Sequence, residues 1–421
     1  MKVFLNLLSL RSIGGVIVTT FAVLLSSSYI NNIDAFSITT KRPTSATPTV
    51  LKATVSTAVV APSSSSSSTP LFSSHFNNTT PSTKATTILT YLEINGWLLT
   101  IDGITILIDP ILEGDLDFGL PSYIYSASKR KLPSNGLFEL LPPIDCLLIT
   151  QGLDDHAHER TLKKLASKLL LLKDESENDD DDDRRQSVLS IIAPPSTRDV
   201  LIKYGFTNGN NKNFDINYIQ SGDDDVVITK NNDNGSGGNK NSVKIKATAG
   251  ALVGPPWQAR ENGYKIRSTN NYNDDDDDDD DENGKESKSK SKKGRPPSVY
   301  IEPHVEFNPI ELQREKDTVD IVITPISGQG IGLLPPPLPG FELVHGPNDA
   351  IRLVDILQPK YVIPMQNGDV DTIGAISPII QSIGSSNDFQ RKLLFNNNNN
   401  NNSNKIEIIT PVIPGKDMIF S

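Results

Sequence analysis

The sequence predicts an α/β fold in which sheets are covered by helices on their outer faces. Three observations predict it. Short apolar runs rich in Ile, Leu and Val recur from about residue 87 to residue 365, bounded by Gly, Pro and Asn signals. Several of these runs are followed by stretches with helical spacing, such as ERTLKKLASKLLLL. The order is three strands, then strand–helix units, then hairpins, then strand–helix units again, which a bundle or an all-β sandwich would not show.

The elements follow in chain order. TILTYLEI, WLLTIDG and ITILIDPIL read as three strands joined by short turns at NG and DG. The alternation Ile88, Thr90, Leu92, Ile94 implies one buried face on the first. Residues 145–150 (DCLLIT) have the pattern of a strand buried on both faces. A helix is expected over 159–172, a buried strand in SVLSIIAPP, and a helix in STRDVLIKYG with Ser196 as N-cap and Gly205 as its stop. Short alternating strands are expected at 217–220, 225–229 and 242–249. Residues 264–267 and 298–302 read as two strands split by a charged insert. TVDIVITP is a strand, 348–357 a helix, and KYVIPM a last buried strand.

The two ends of the composition bound the rest. Lys2 and Arg11 flank an apolar run, and GGVIVTTFAVLL has the length of a secretory core rather than a membrane span. Residues 36–85 are rich in Ser, Thr, Pro and Ala, and no acid occurs between Asp34 and Glu93. A signal peptide over 1–35 and a transit-peptide-like region over 36–85, joined at Ala35-Phe36, resemble the bipartite presequence of secondary plastids. The alternative is a secreted protein with a Ser/Thr-rich stalk. The ordered domain is expected over 86–421, with disordered inserts at about 174–186, 207–217, 230–241, 268–296 and 395–404.

The net charge of −11 sits mostly in two inserts. Residues 174–185 hold eight acids against two bases, and 274–295 hold ten against six. The remaining chain is nearly neutral, which excludes a nucleic-acid-binding surface. No membrane span is expected in the mature form, and the partner implied is a small-molecule substrate or ligand. The single cysteine, Cys146, lies inside an apolar run; a disulfide framework is excluded.

The chemistry-bearing stretch is ITQGLDDHAH, residues 149–158, at the end of a buried strand and before a helix. Here, at the opening YLEINGWLLTIDGITILIDPIL with the Asp109-Pro110 that ends its third strand, and at VYIEPH and KYVIPMQNGD, the chain resembles the metallo-β-lactamase-fold superfamily, in the branch that includes ascorbate-lactone hydrolases. The resemblance implies a four-layer αββα sandwich whose loops converge at one end of the two sheets, where histidines and carboxylates bind zinc and activate a water. Residue by residue the motif departs. Gln151 and Leu153 stand at the first two histidine positions, whereas Asp155 and His156 match. Ala249 or Gly250 stands at the third histidine, His304 at the bridging aspartate and Gln366 at the final histidine.

Two main readings follow. In the first, the domain is a pseudoenzyme or small-molecule-binding module, with Gln151, Trp257 and Gln366 lining the pocket and Asp155 paired with a histidine. In the second, Asp155, His156 and His304, with His158 as a nearby fourth candidate, hold one Zn or Fe ion in a mononuclear hydrolase of a lactone, ester or phosphoester. Asp155 and Glu302 are then the candidate catalytic carboxylates. A metal-free hydrolase built on Asp155 and His156 is a third arrangement. The loop 327–340, with its run of prolines, is read as a lid or an ordinary surface loop, and His345 as a surface residue near a helix cap.

Overall fold

Strands form where β-branched and Leu side chains can be covered on both sides. The structure, a computed structural model, describes residues 86–176, 188–207, 214–231, 240–252, 260–269, 295–314, 318–331, 341–365, 368–399 and 406–421. The expected presequence, Trp257, Gln366, most of the 327–340 loop and the bulk of the polar inserts lie outside these residues.

The first strands are β1 (Thr87–Tyr91), β2 (Trp97–Ile101), β3 (Ile104–Ile108), β4 (Ser126–Lys129) and β5 (Cys146–Leu148). Helix α1 (Glu159–Ser176), β6 (Leu189–Ala193), α2 (Arg198–Lys203) and β7 (Phe214–Tyr218) follow. Then come β8 (Val226–Asn231), β9 (Lys240–Ala249), β10 (Asn262–Ser268), β11 (Val299–Ile301), α3 (Pro309–Arg314) and β12 (Ile321–Pro325). The chain continues through β13 (Gly328–Ile331), β14 (Phe341–Val344), α4 (Pro347–Leu357), β15 (Tyr361–Met365), β16 (Val370–Ile373) and β17 (Ile380–Ile383). It closes with α5 (Ser386–Asn399), β18 (Glu407–Ile408) and β19 (Asp417–Phe420).

Two seven-stranded sheets result, in the orders β19-β1-β2-β3-β5-β6-β7 and β18-β15-β12-β11-β10-β9-β8. Their facing sides share one apolar cluster. Trp97, Leu99, Ile106 and Leu148 of the first sheet meet Ile245, Ile266, Ile301, Ile323 and Ile363 of the second. The outer face of the first sheet packs Leu107, Leu147 and Ile191 against Leu162, Leu165 and Leu201 of α1 and α2. The outer face of the second packs Tyr300, Val322 and Val362 against Leu312, Leu353 and Phe389 of α3, α4 and α5. This is the expected four-layer αββα sandwich.

Several local expectations are corrected. The first strand does not bury one alternating face: Leu89 and Tyr91 enter the inter-sheet core, and Ile88 is half-buried. Ser196 does not cap α2. A 3₁₀ turn over Pro195–Thr197 precedes that helix, and the Ser196 hydroxyl donates instead to Glu261 Oε2 at 2.7 Å. Gly205, at φ +103°, does end the helix in a conformation that suits glycine. Residues 214–217, read as insert, are strand, and 395–399, also read as insert, continue α5.

Candidate metal centre

Parallel strands present their carboxyl ends together, and side chains just beyond those ends converge. In the first sheet β3 and β5 are parallel, with Ile108 opposite Leu148. Asp109 and Thr150 therefore emerge side by side. Thr150 donates its backbone N–H to Asp109 Oδ1 at 2.8 Å and its hydroxyl to Oδ2 at 2.5 Å. Asp109 holds φ +41°, a conformation that non-glycine residues adopt at a cost, and its carboxylate is turned onto His156. In the second sheet β11 and β12 are parallel, and the chain leaving β11 carries Glu302 and His304.

The result brings together Asp155, His156 and His304, whose candidate ligand atoms all lie within 4.8 Å of one another. The two imidazole rings are 5.2 Å apart, centroid to centroid, and nearly perpendicular. That separation permits one ion at about 2.1 Å from a nitrogen of each. His156 Nδ1 lies 2.8 Å from Asp109 Oδ2, and its Nε2 lies 3.3 Å from Asp155 Oδ2. A carboxylate behind Nδ1 is the arrangement that orients a ligating histidine. Asn95, buried in the turn after β1, donates from Nδ2 to the Asp155 carbonyl at 3.1 Å and lies 3.2 Å from His156 Nε2. The Gln151 carboxamide nitrogen lies 2.7 Å from His304 Nδ1.

Electrostatics follow from this crowding. Burial opposes a charge on His156, but the carboxylates of Asp155 and Asp109 outweigh it and raise its pKa to about 10. Burial and then the charge of His156 push His304 down to about 3. Burial raises Asp155, yet the two histidines outweigh it and hold it below the usual carboxylate range. Among the described residues, Asp155 Oδ1, Asn95 Oδ1 and Gln151 Oε1 are buried oxygens near the cluster without a hydrogen-bond partner. The unpartnered Asp155 Oδ1 beside two imidazoles is an acceptor that a cation would take.

The other predicted residues are placed elsewhere. His158 is buried outside this group: its Nδ1 lies 2.9 Å from the Thr161 hydroxyl, which also accepts the Leu112 N–H. Burial and then Arg160 push it down to about 4. Glu302 shares the face of Tyr300, which packs in the outer layer, and its Oε1 accepts the His304 N–H at 3.2 Å. It holds the loop that carries His304 and does not face the cluster; burial raises it to about 7. His345 donates its backbone N–H to the His304 carbonyl and sets its imidazole 3.1 Å from Asp349 at the start of α4.

At the third-histidine position Ala249 ends β9 in the core, and Gly250 has no room for a side chain. A Cβ there would stand 2.8 Å from Asn262 C and 2.9 Å from Gly263 N, both backbone. Sequence reasoning missed Asn95, whose NG reads as a turn, and treated Asp109 only as a strand end. It also missed Glu261, which faces the charges of His156 and Asp109 and is raised by burial to about 7. A polar residue closing an all-apolar strand, as Asp109 does, was the available signal.

Among curated proteins nothing matches this chain. Among solved structures it is similar to Igni18, a novel metallo hydrolase from the hyperthermophilic archaeon Ignicoccus hospitalis. Identity is 15%, coverage 80% of this chain and 99% of that one, and the TM-score 0.40. It is similar to an isothiocyanate hydrolase from Delia radicum gut bacteria at 14% identity, covering 79% and 99%, with a TM-score of 0.41. It is also similar to CmlA, a diiron β-hydroxylase from Streptomyces venezuelae, at 16% identity, covering 81% and 55%, with a TM-score of 0.42. Residues 88–366, more than half of the chain, match the beta-lactamase superfamily domain, and the chain belongs to that family.

Proposed function

We propose that this is a divergent superfamily member rebuilt around a single metal ion on Asp155, His156 and His304, acting as a hydrolase of a lactone, ester or phosphoester. The observation that carries it is the convergence of those three donors within 4.8 Å. The unpartnered Asp155 Oδ1 beside them fits a cation. Two imidazoles and a carboxylate suit Zn²⁺ or Fe²⁺. An ion bound there supplies Lewis acidity and an activated water for attack on a carbonyl or phosphoryl centre.

The chain's own residues do the rest. Asp109 and Thr150 fix the orientation of His156. Asn95 ties the loop of Asp155 to the first sheet. Glu261, raised by burial to about 7, accepts the Ser196 hydroxyl at 2.7 Å. Tyr125 presents a hydroxyl raised to about 12, by burial and then by the charge of Asp155. That hydroxyl is a hydrogen-bond donor for a substrate oxygen.

A second reading has its own support. His156 between Asp109 and Asp155 is an ion triad that is satisfied without a metal, as a pseudoenzyme or binding module requires. Metal content of the full chain after dialysis against Zn²⁺ or Fe²⁺ separates the two. The single-metal reading predicts about one ion per chain, lost in His156→Ala and in His304→Ala, with ester hydrolysis lost in parallel. A chain that retains no ion defeats it and leaves the binding module. The plastid location belongs with these proposals; it rests on the composition of residues 1–85 and is tested by fusing them to a fluorescent reporter.

A further inference from the structure

The His304 and His156 rings lie 5.2 Å apart and nearly perpendicular, and each has a side-chain partner at Nδ1. For His156 the holder is an oxygen, Asp109 Oδ2, at 2.8 Å. For His304 it is the Gln151 carboxamide at 2.7 Å. With the amide nitrogen toward the ring, Gln151 donates to Nδ1 and the His304 proton must sit on Nε2. That arrangement leaves Gln151 Oε1 buried without a donor. It also puts the ring proton on Nε2, the nitrogen that is left for a ligand. A half-turn of the carboxamide exchanges its oxygen and nitrogen with no change of shape. The oxygen then accepts Nδ1–H, as Asp109 Oδ2 does at His156, the amide N–H groups take the place of the unpartnered oxygen, and Nε2 keeps its lone pair.

We propose that Gln151 is a positioning residue that fixes the tautomer of His304, accepting its Nδ1–H so that the Nε2 lone pair is turned to the space shared with Asp155 and His156. The residue at the first histidine position has thus passed from ligand to support of a ligand. This rests on the single-metal reading for its purpose, but not for its test. A carboxamide fixes the proton as a carboxylate does while adding no charge, so the buried site gains a ligating nitrogen without a third acid beside Asp109 and Asp155.

The test is long-range ¹H–¹⁵N correlation of the metal-free full chain labelled at histidine. The chain has five histidines, and His304 is assigned by the signals lost in His304→Gln. The expected result is a proton on Nδ1 of His304 in the wild type and in Gln151→Glu, and a mixture or an Nε2–H form in Gln151→Leu. Zn²⁺ affinity should fall about 10–100-fold in Gln151→Leu and return in Gln151→Glu. An Nε2–H tautomer in the wild type overturns the proposal, as does an unchanged tautomer in Gln151→Leu. An Nδ1–H tautomer in a chain that takes up no zinc supports the tautomer assignment and defeats only the single-metal reading. The wild-type spectrum decides the question even if Gln151→Leu does not fold.

Discussion

Lys129 shows how far single residues in this domain are driven from their solution behaviour. It closes β4, is buried, and donates from Nζ to the Ile111 carbonyl. Burial pushes it down to about 8, against the opposing pull of Glu93, Asp115 and Glu113. A lysine depressed in the native state binds fewer protons there than in the unfolded chain between pH about 8 and 10.5. The native state therefore gains stability as pH rises through that window, and below it the full cost of the buried charge remains. Lys129→Met removes the group. Denaturant titrations of the two chains should converge by up to about 3 kcal/mol between pH 8 and 10.5, with the variant favoured on the acid side. A difference independent of pH would show that Lys129 is not a buried titrating group. The same residue-scale logic explains what the sequence hid. Asn95 and Glu261 touch the cluster's surroundings only through long-range contacts, and no local pattern distinguishes them from turn and strand residues.

At the scale of elements, the strands buried on both faces were legible because an apolar run between turn signals has few alternatives. The DG turn between β2 and β3 was legible too, and Asp102 and Gly103 both take positive φ there. The β4–β16 ribbon, the small sheet β14-β13-β17 and the edge strand β19 were not. They are short and partly exposed, and in two of them the pairing spans much of the chain: Ser128 of β4 lies opposite Asp371 of β16, and Thr87 of β1 opposite Phe420 of β19. Such register is set by tertiary closure rather than by local pattern. The β9–β10 hairpin carries the strongest element-scale expectation. Gly250 lies so close to the β10 backbone that a third histidine cannot be restored at that position without moving it. Gly250→Ala should destabilise the domain by about 1–3 kcal/mol through overpacking, read by chemical denaturation. Gly250→His should be no better and should add no metal equivalent. A neutral Gly250→Ala would mean that the hairpin can open by several tenths of an ångström at no cost.

Over the whole molecule, two sheets share one core and each carries its own helical layer. The site lies where the parallel strands of both sheets end. Four landmarks in the sequence, ITQGLDDHAH, VYIEPH, KYVIPM and the opening YLEINGWLLTIDGITILIDPIL, were enough to place the fold. Of these, the first two bring their histidines together, and the third ends at Met365, next to Gln366 outside the described residues. The donor set was legible as residue types. Its geometry was not, because His158 and Glu302 are as close in sequence as Asp155, His156 and His304 yet stand outside their group, His158 beside Thr161 and Glu302 on the His304 backbone. Asp155, His156 and His304 are proposed to hold one ion. Anomalous diffraction from zinc-loaded crystals of the full chain tests it most directly. The account predicts one peak at about 2.0–2.2 Å from a nitrogen of His156, a nitrogen of His304 and an oxygen of Asp155. No peak there, with His156 still seated between Asp109 and Asp155, would contradict it.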